Sequence, residues 1–94
     1  MIDYIAAMFK VSVKKKALKE AGKMPESVQE NLAALVEDLR EKGPVQPNWP
    51  SYSKIGKEKY HCHLARKWVA CWYCEDKALI IEVYYAGSRE NAPY

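Results

Sequence analysis

The chain has 94 residues, with 15 lysines and arginines against 12 aspartates and glutamates, a formal net charge of +3. That length makes one domain over residues 1–94, with a single core burying roughly 65% of the surface the unfolded chain exposes. Hydrophobic residues at 49% and charged residues at 29% exclude a disordered chain, and no apolar run approaches the ~20 residues of a membrane helix.

The small basic excess permits an anionic partner without requiring one. The opening MIDYIAAMFK lacks the charged and long apolar regions of a secretory signal. Three cysteines, an odd count, argue against a closed disulfide framework and for reduced thiols in the cytoplasm.

Residues 8–13 alternate, with Phe9, Val11 and Val13 on one side, which predicts a strand with one buried face. Ala17, Leu18 and Ala21 then fall at helical spacing among lysines. That segment is too short to stand alone in water and needs a partner surface. Its first lysines, Lys14–Lys16, read as the solvated start of the helix.

Pro25 opens a second helix, predicted over 25–42. Proline suits a first helical turn, and Glu26 favours the positive end of the dipole. Val28, Leu32, Leu35, Val36 and Leu39 form one apolar stripe, and Gly43 and Pro44 end it. The two helices form an αα-hairpin through Gly22–Met24.

Residues 43–59 carry three prolines and two glycines and read as a loop, with a short strand near Tyr52–Ile55. Trp49 and Tyr52 either pin this loop to the domain or, with its three lysines, offer an RNA-contacting surface.

From Tyr60 onward the pattern is strand-like: YHCHLA, WVACWYC and ALIIEVYY. Ala65–Lys67 and Glu75–Lys77 break these runs, giving two tight hairpins. The expected fold is α+β and two-layer, β-α-α-β-β-β, with a mostly antiparallel sheet packed on a helical hairpin.

His61 and His63 lie two apart on a strand and so share a face. Cys62 and Leu64 take the opposite, core face, which leaves the histidines on the open side. Zinc is disfavoured for this set, because Cys71 and Cys74 face opposite ways on a regular strand and WY is poor turn chemistry. Two readings stay open: sheet histidines with satisfied hydrogen bonds, or an acid–base pair. In RNA cleavage such a pair would deprotonate the ribose 2′-OH and protonate the leaving 5′-oxygen, with a cation stabilising the phosphorane.

Among the remaining groups, Lys54, Lys57 and Lys59 beside Arg66 and Lys67 form a candidate RNA-binding patch. Trp68 and Trp72 read as packing residues, and Cys62 and Cys71 as small buried apolar residues.

The ending YYAGSRENAPY, the YHCHL strand and the element order together resemble the RelE/ParE superfamily of bacterial toxin–antitoxin systems. The resemblance is nearest to the RelE-like branch called cytotoxic translational repressors, and it covers about residues 8–94. It implies the toxin of a type II system that enters the ribosomal A site and cuts mRNA there. Its cytoplasmic partner would be a cognate antitoxin, with operator DNA reached only through the antitoxin complex and no cofactor or metal. By position it makes Arg89 the transition-state arginine and Tyr94 the base-stacking tyrosine, with His61 and His63 where RelE has two lysines. A second RelE arginine aligns with Val69. Glu82 either orients a histidine or is an ordinary sheet glutamate. The resemblance also admits a ParE-like gyrase inhibitor and a degenerate toxin kept as a corepressor.

Overall fold

The computed structural model describes residues 8–75 and 78–94. Strand β1 spans Lys10–Val13, helix α1 Lys15–Ala21 and helix α2 Glu26–Lys42. Four strands follow: β2 Ser53–Gly56, β3 Lys59–Ala65, β4 Trp68–Cys74 and β5 Ile80–Ser88. They form one sheet in the order β1-β5-β4-β3-β2. Only β1 with β5 is parallel, and the other neighbours are antiparallel. This is the expected two-layer α+β architecture, with β2 taking the place of the short strand predicted at 52–55. The second break, 75–77, falls partly outside the described residues.

The stripe on α2 folds as its spacing predicts. Val28, Leu32, Leu35 and Leu39 are buried, Leu35 and Leu39 completely, and Leu35→Ala is worth about 2–5 kcal/mol on general grounds. Pro25 is the N-cap and not the first helical residue. Gly43 stops the helix with φ 89°, a left-handed conformation glycine adopts without strain. A Cβ there would lie 2.8 Å from the Phe9 ring.

In α1 the expected stripe is only half right. Ala17 and Ala21 are buried while Leu18 is 60% exposed, because residues four apart share a face of a two-turn helix and their neighbour turns away. The helix finds its partner surface on β5, whereas α2 lies over β3 and β1. β1 covers the edge of β5 only as far as Val83, and α1 takes over from there.

The helix-side face of the sheet carries Cys62, Leu64, Ala70, Trp72, Ile81, Val83 and Ala86, all buried. Trp72 is completely buried, its indole N–H donating to the Pro44 carbonyl at 3.0 Å. Trp68 packs half-buried against the same core. The loop after α2 is fastened to the domain. The Trp49 indole donates to the Asp38 carboxylate at 2.8 Å, buried Gln46 donates to the Asp38 and Gly43 carbonyls, and Tyr52 stacks with Tyr60 and Trp72. Trp49 and Tyr52 thus pin the loop to the domain.

Candidate active site

The β3–β4 hairpin sets the site. Arg66 and Lys67 form a two-residue turn, with Ala65 opposite Trp68. A regular ladder from that turn would put Ala70 opposite His63. Instead the register shifts between His63 and Ala65, so that Leu64 is an extra residue and Val69 faces His63. Cys71 therefore lies opposite His61 on the same face, and Tyr85 lies opposite Cys71 on the next strand. A second shift, between Cys71 and Trp72, leaves Tyr84 unpaired in β5. Its hydroxyl bonds the Cys71 thiol.

His61 and His63 meet edge to face, with ring centroids 5.8 Å apart and planes at 68°. His61 is 8% exposed and His63 partly exposed. Beside them on β4, Val69 and Cys71 are completely buried. The tail folds back over this face and sets the Tyr94 ring 4.5 Å from the His61 ring. Burial holds the His61 pKa below the ordinary histidine value. A hydrogen bond to the Ser53 backbone opposes that shift, and the charge of His63 adds to it. The Ser53 hydroxyl lies 3.0 Å from His61 Nδ1, because Ser53 is the cross-strand partner of His61. Burial likewise raises the Tyr94 phenol, with the Cys71 thiol adding to the shift and the Arg89 charge opposing it.

Three of the four expected catalytic residues thus come together. Arg89 follows β5 directly, its N–H donating to the Lys67 carbonyl at 2.8 Å. Its charge is felt by Tyr94, but its backbone is two strands, about 10 Å, from His63. The position aligned with the second arginine, Val69, is buried and apolar.

The five expected RNA-binding residues do not form one patch. Lys54 is paired with Tyr60 and stands 5.9 Å from its ring centroid, on the helix side of the sheet. Lys59 is on the histidine side, 6.0 Å from the Tyr84 ring centroid. Lys57 sits in the β2–β3 turn, while Arg66 and Lys67 lie at the far end of β3, about 20 Å along the strand. Glu82 orients neither histidine. Its rung is Tyr73 and Ser12, two strands from β3. Cys71 and Cys74 face opposite sides, and among the described residues no three histidine, cysteine or acidic side chains group as a metal site.

Sequence reasoning missed Ser53, Tyr84 and Tyr85. The signal for Ser53 was the hairpin turn at Lys57–Glu58, which brings it opposite His61. Nothing marked the bulge that admits both tyrosines.

No protein-family profile and no curated protein matches the chain. Solved structures do. The archaeal RelE–RelB complex from Pyrococcus horikoshii OT3 superimposes with a TM-score of 0.71 at 12% identity, over 90% of this chain and 99% of that one. The isolated Escherichia coli RelE toxin gives 0.70 at 18% identity, over 90% and 88%.

This chain has the RelE fold.

The Staphylococcus aureus YoeB–YefM complex shares it, with a TM-score of 0.67 at 9% identity over 88% and 99%. The sheet face expected to be open is closed at the histidines: His61 is buried, Val69 and Cys71 beside the pair are completely buried, and the residues after β5 bring Tyr94 over His61.

Proposed function

We propose that this chain is the toxin of a type II toxin–antitoxin system and a ribosome-dependent mRNA endonuclease. The observation that carries the reading is the tail's return onto the histidines: Tyr94 rests on His61, and His63 stands edge-on beside it. A RelE fold with a histidine pair beneath a removable aromatic ring suits a single unstacked nucleotide once that ring swings away.

His61, whose pKa burial lowers, is the base that takes the ribose 2′-OH proton. The 2′-oxygen then attacks phosphorus, and His63 protonates the departing 5′-oxygen to leave a 2′,3′-cyclic phosphate. Arg89 balances the extra charge on the phosphorane, and Tyr94 leaves His61 to stack on the base. The sugar supplies the nucleophile, so the scheme calls for no metal or cofactor. The neighbours solved with RelB and YefM support a cognate antitoxin as partner.

Buried Val69, where a second cation would help, favours a competing reading: a RelE-fold binding protein without nuclease activity, either a ParE-like gyrase inhibitor or a corepressor. Induced expression with mRNA 5′-end mapping separates the two. The nuclease reading expects codon-phased cuts in translated messages that His63→Ala and Arg89→Ala reduce by at least tenfold, on the order of one lost general acid or charge contact. Gyrase-linked DNA breaks, or no cuts with tight antitoxin binding, overturn it.

A further inference from the structure

The expected basic patch is dispersed, yet cations do gather elsewhere. Between α1 and the end of β5 lies a cavity of about 450 Å³, lined by Lys16, Glu20 and Lys23 from the helical side and by Trp68, Tyr85 and Gly87 from the sheet. It shares Lys16, Glu20 and Tyr85 with a second hollow of about 320 Å³ that adds Lys14, Tyr84 and Pro93. It shares Trp68 and Ser88 with a third of about 190 Å³, reaching Lys67 and Arg89. The shared residues place the three hollows side by side, a groove along α1 and the end of β5. Five cations line it against two carboxylates, Glu20 and Glu90, and Glu20 is already paired with Lys23 at 3.4 Å. The surplus in this groove equals the whole chain's net +3.

Two aromatic side chains, Trp68 and Tyr85, line the largest hollow. The Tyr85 ring is fixed by its own bond, the hydroxyl donating to the Ser88 carbonyl at 2.7 Å, and glycine at 87 leaves the ring room. One of the hollows is lined by Pro93, the residue before the tyrosine that covers His61.

We propose that this groove is a binding track for single-stranded RNA, with Lys14, Lys16 and Lys23 on α1 holding successive phosphates and Tyr85 offering a face to a base. Spaced cations along a channel lined by aromatic rings suit a single strand, whose bases are free to stack. An acidic peptide would satisfy the lysines and leave the aromatic rings unused. The inference rests on the nuclease reading for the identity of its ligand and adds α1, which the sequence marked only as a solvated helix start, to the contact surface.

The probe is a short 2′-O-methyl oligouridylate, which cannot be cleaved through a 2′-OH, titrated into the purified chain and followed by fluorescence anisotropy between about 50 and 200 mM salt. Neutralising three phosphate contacts on a single strand lowers the salt slope by about 2. The Lys14→Gln, Lys16→Gln, Lys23→Gln triple variant is therefore expected to bind at least tenfold more weakly at low salt, with that shallower slope. Glu20→Gln, which releases Lys23, is expected to tighten binding, so a general loss of folding cannot imitate the pattern. No binding by the unaltered chain, an unchanged slope in the triple variant, or equal binding of a polyglutamate peptide each overturns the track. Because the probe is inert, RNA held in the groove without mRNA cutting would sink the nuclease alone, and cutting with an unaffected slope would sink the track alone.

Discussion

The Tyr94 ring lies 4.5 Å from the His61 ring and is tilted 54° to it, and the two differ sharply in exposure, 55% against 8%. An exposed ring covering a buried one is a removable cover. The ring is placed to shield the histidine from water, and the chain ends at it.

Tyr94→Ala therefore wets His61. Its pKa, held down mainly by burial, is expected to move up toward the ordinary histidine value in an imidazole NMR titration, while Tyr94→Phe keeps the ring and leaves the titration unchanged. If the ring also stacks on a base, the alanine variant loses about 5- to 100-fold in cleavage, the usual worth of one base–aromatic stack. A His61 titration indifferent to Tyr94→Ala would mean that the strands alone, and not the tail, shield it.

The depressed His61 pKa makes folding pH-dependent, and its sign follows from proton counting. Unfolded histidine titrates near pH 6.5, whereas the buried ring resists protonation to a lower pH. Below about pH 6.5 the unfolded chain therefore holds more protons, and stability falls as pH falls. Above that value both states are neutral and the group contributes nothing. Melting temperature is expected to decline from pH 7 to 5, with His61→Gln flattening the decline. Ser53→Ala removes the hydroxyl 3.0 Å from Nδ1 and is expected to cost about 1 kcal/mol at neutral pH, with a change in the tautomer balance visible in the ring nitrogen shifts.

The layers and the histidine face were legible in the sequence because each follows from a local period. The α2 stripe is a 3.6-residue pattern, and His61 and His63 share a face by the two-residue period of any strand. What was not legible depends on single-residue insertions. The extra residue at Leu64 puts Val69 and Cys71 beside the histidines, and the one at Tyr84 brings that hydroxyl to the Cys71 thiol. A bulge carries no compositional mark when its residue is as apolar as its neighbours, so register was undecidable. The basic patch failed for a related reason. Lys54 and Lys59 are close in the chain, but an odd separation across a bulged hairpin sends them to opposite faces.

Cys62 and Cys71 are expected to be inert in the folded protein. Burial pushes both thiols up to about 12, and the thiolate is the reactive form. At pH 8 iodoacetamide should modify them only through unfolding, at rates that track denaturant in parallel with global stability. The linkage runs opposite to that of His61. These thiols stay protonated when folded but ionise near pH 8.5 when unfolded, so their contribution is intact below that pH and is lost as pH rises above it. Rapid labelling of either thiol without unfolding would show that the sheet opens locally at β3–β4.

Gly87 tests how tightly the groove lining is built. Its φ is not in the left-handed region, so alanine meets no backbone objection there. A Cβ at this position would nevertheless lie 2.9 Å from the Tyr85 hydroxyl oxygen and 3.1 Å from Cζ. The ring has to move, and with it goes the bond to the Ser88 carbonyl. Gly87→Ala is expected to cost about 1–3 kcal/mol in urea unfolding, the usual range for overpacking. Tyr85→Phe alone removes the hydroxyl and costs about 1 kcal/mol. In that background Gly87→Ala should cost less, because the nearest clash has gone, giving a coupling on the order of 1 kcal/mol in a double-mutant cycle. Strict additivity would mean that the tyrosine swings aside freely and that the ring is not fixed by its own hydrogen bond.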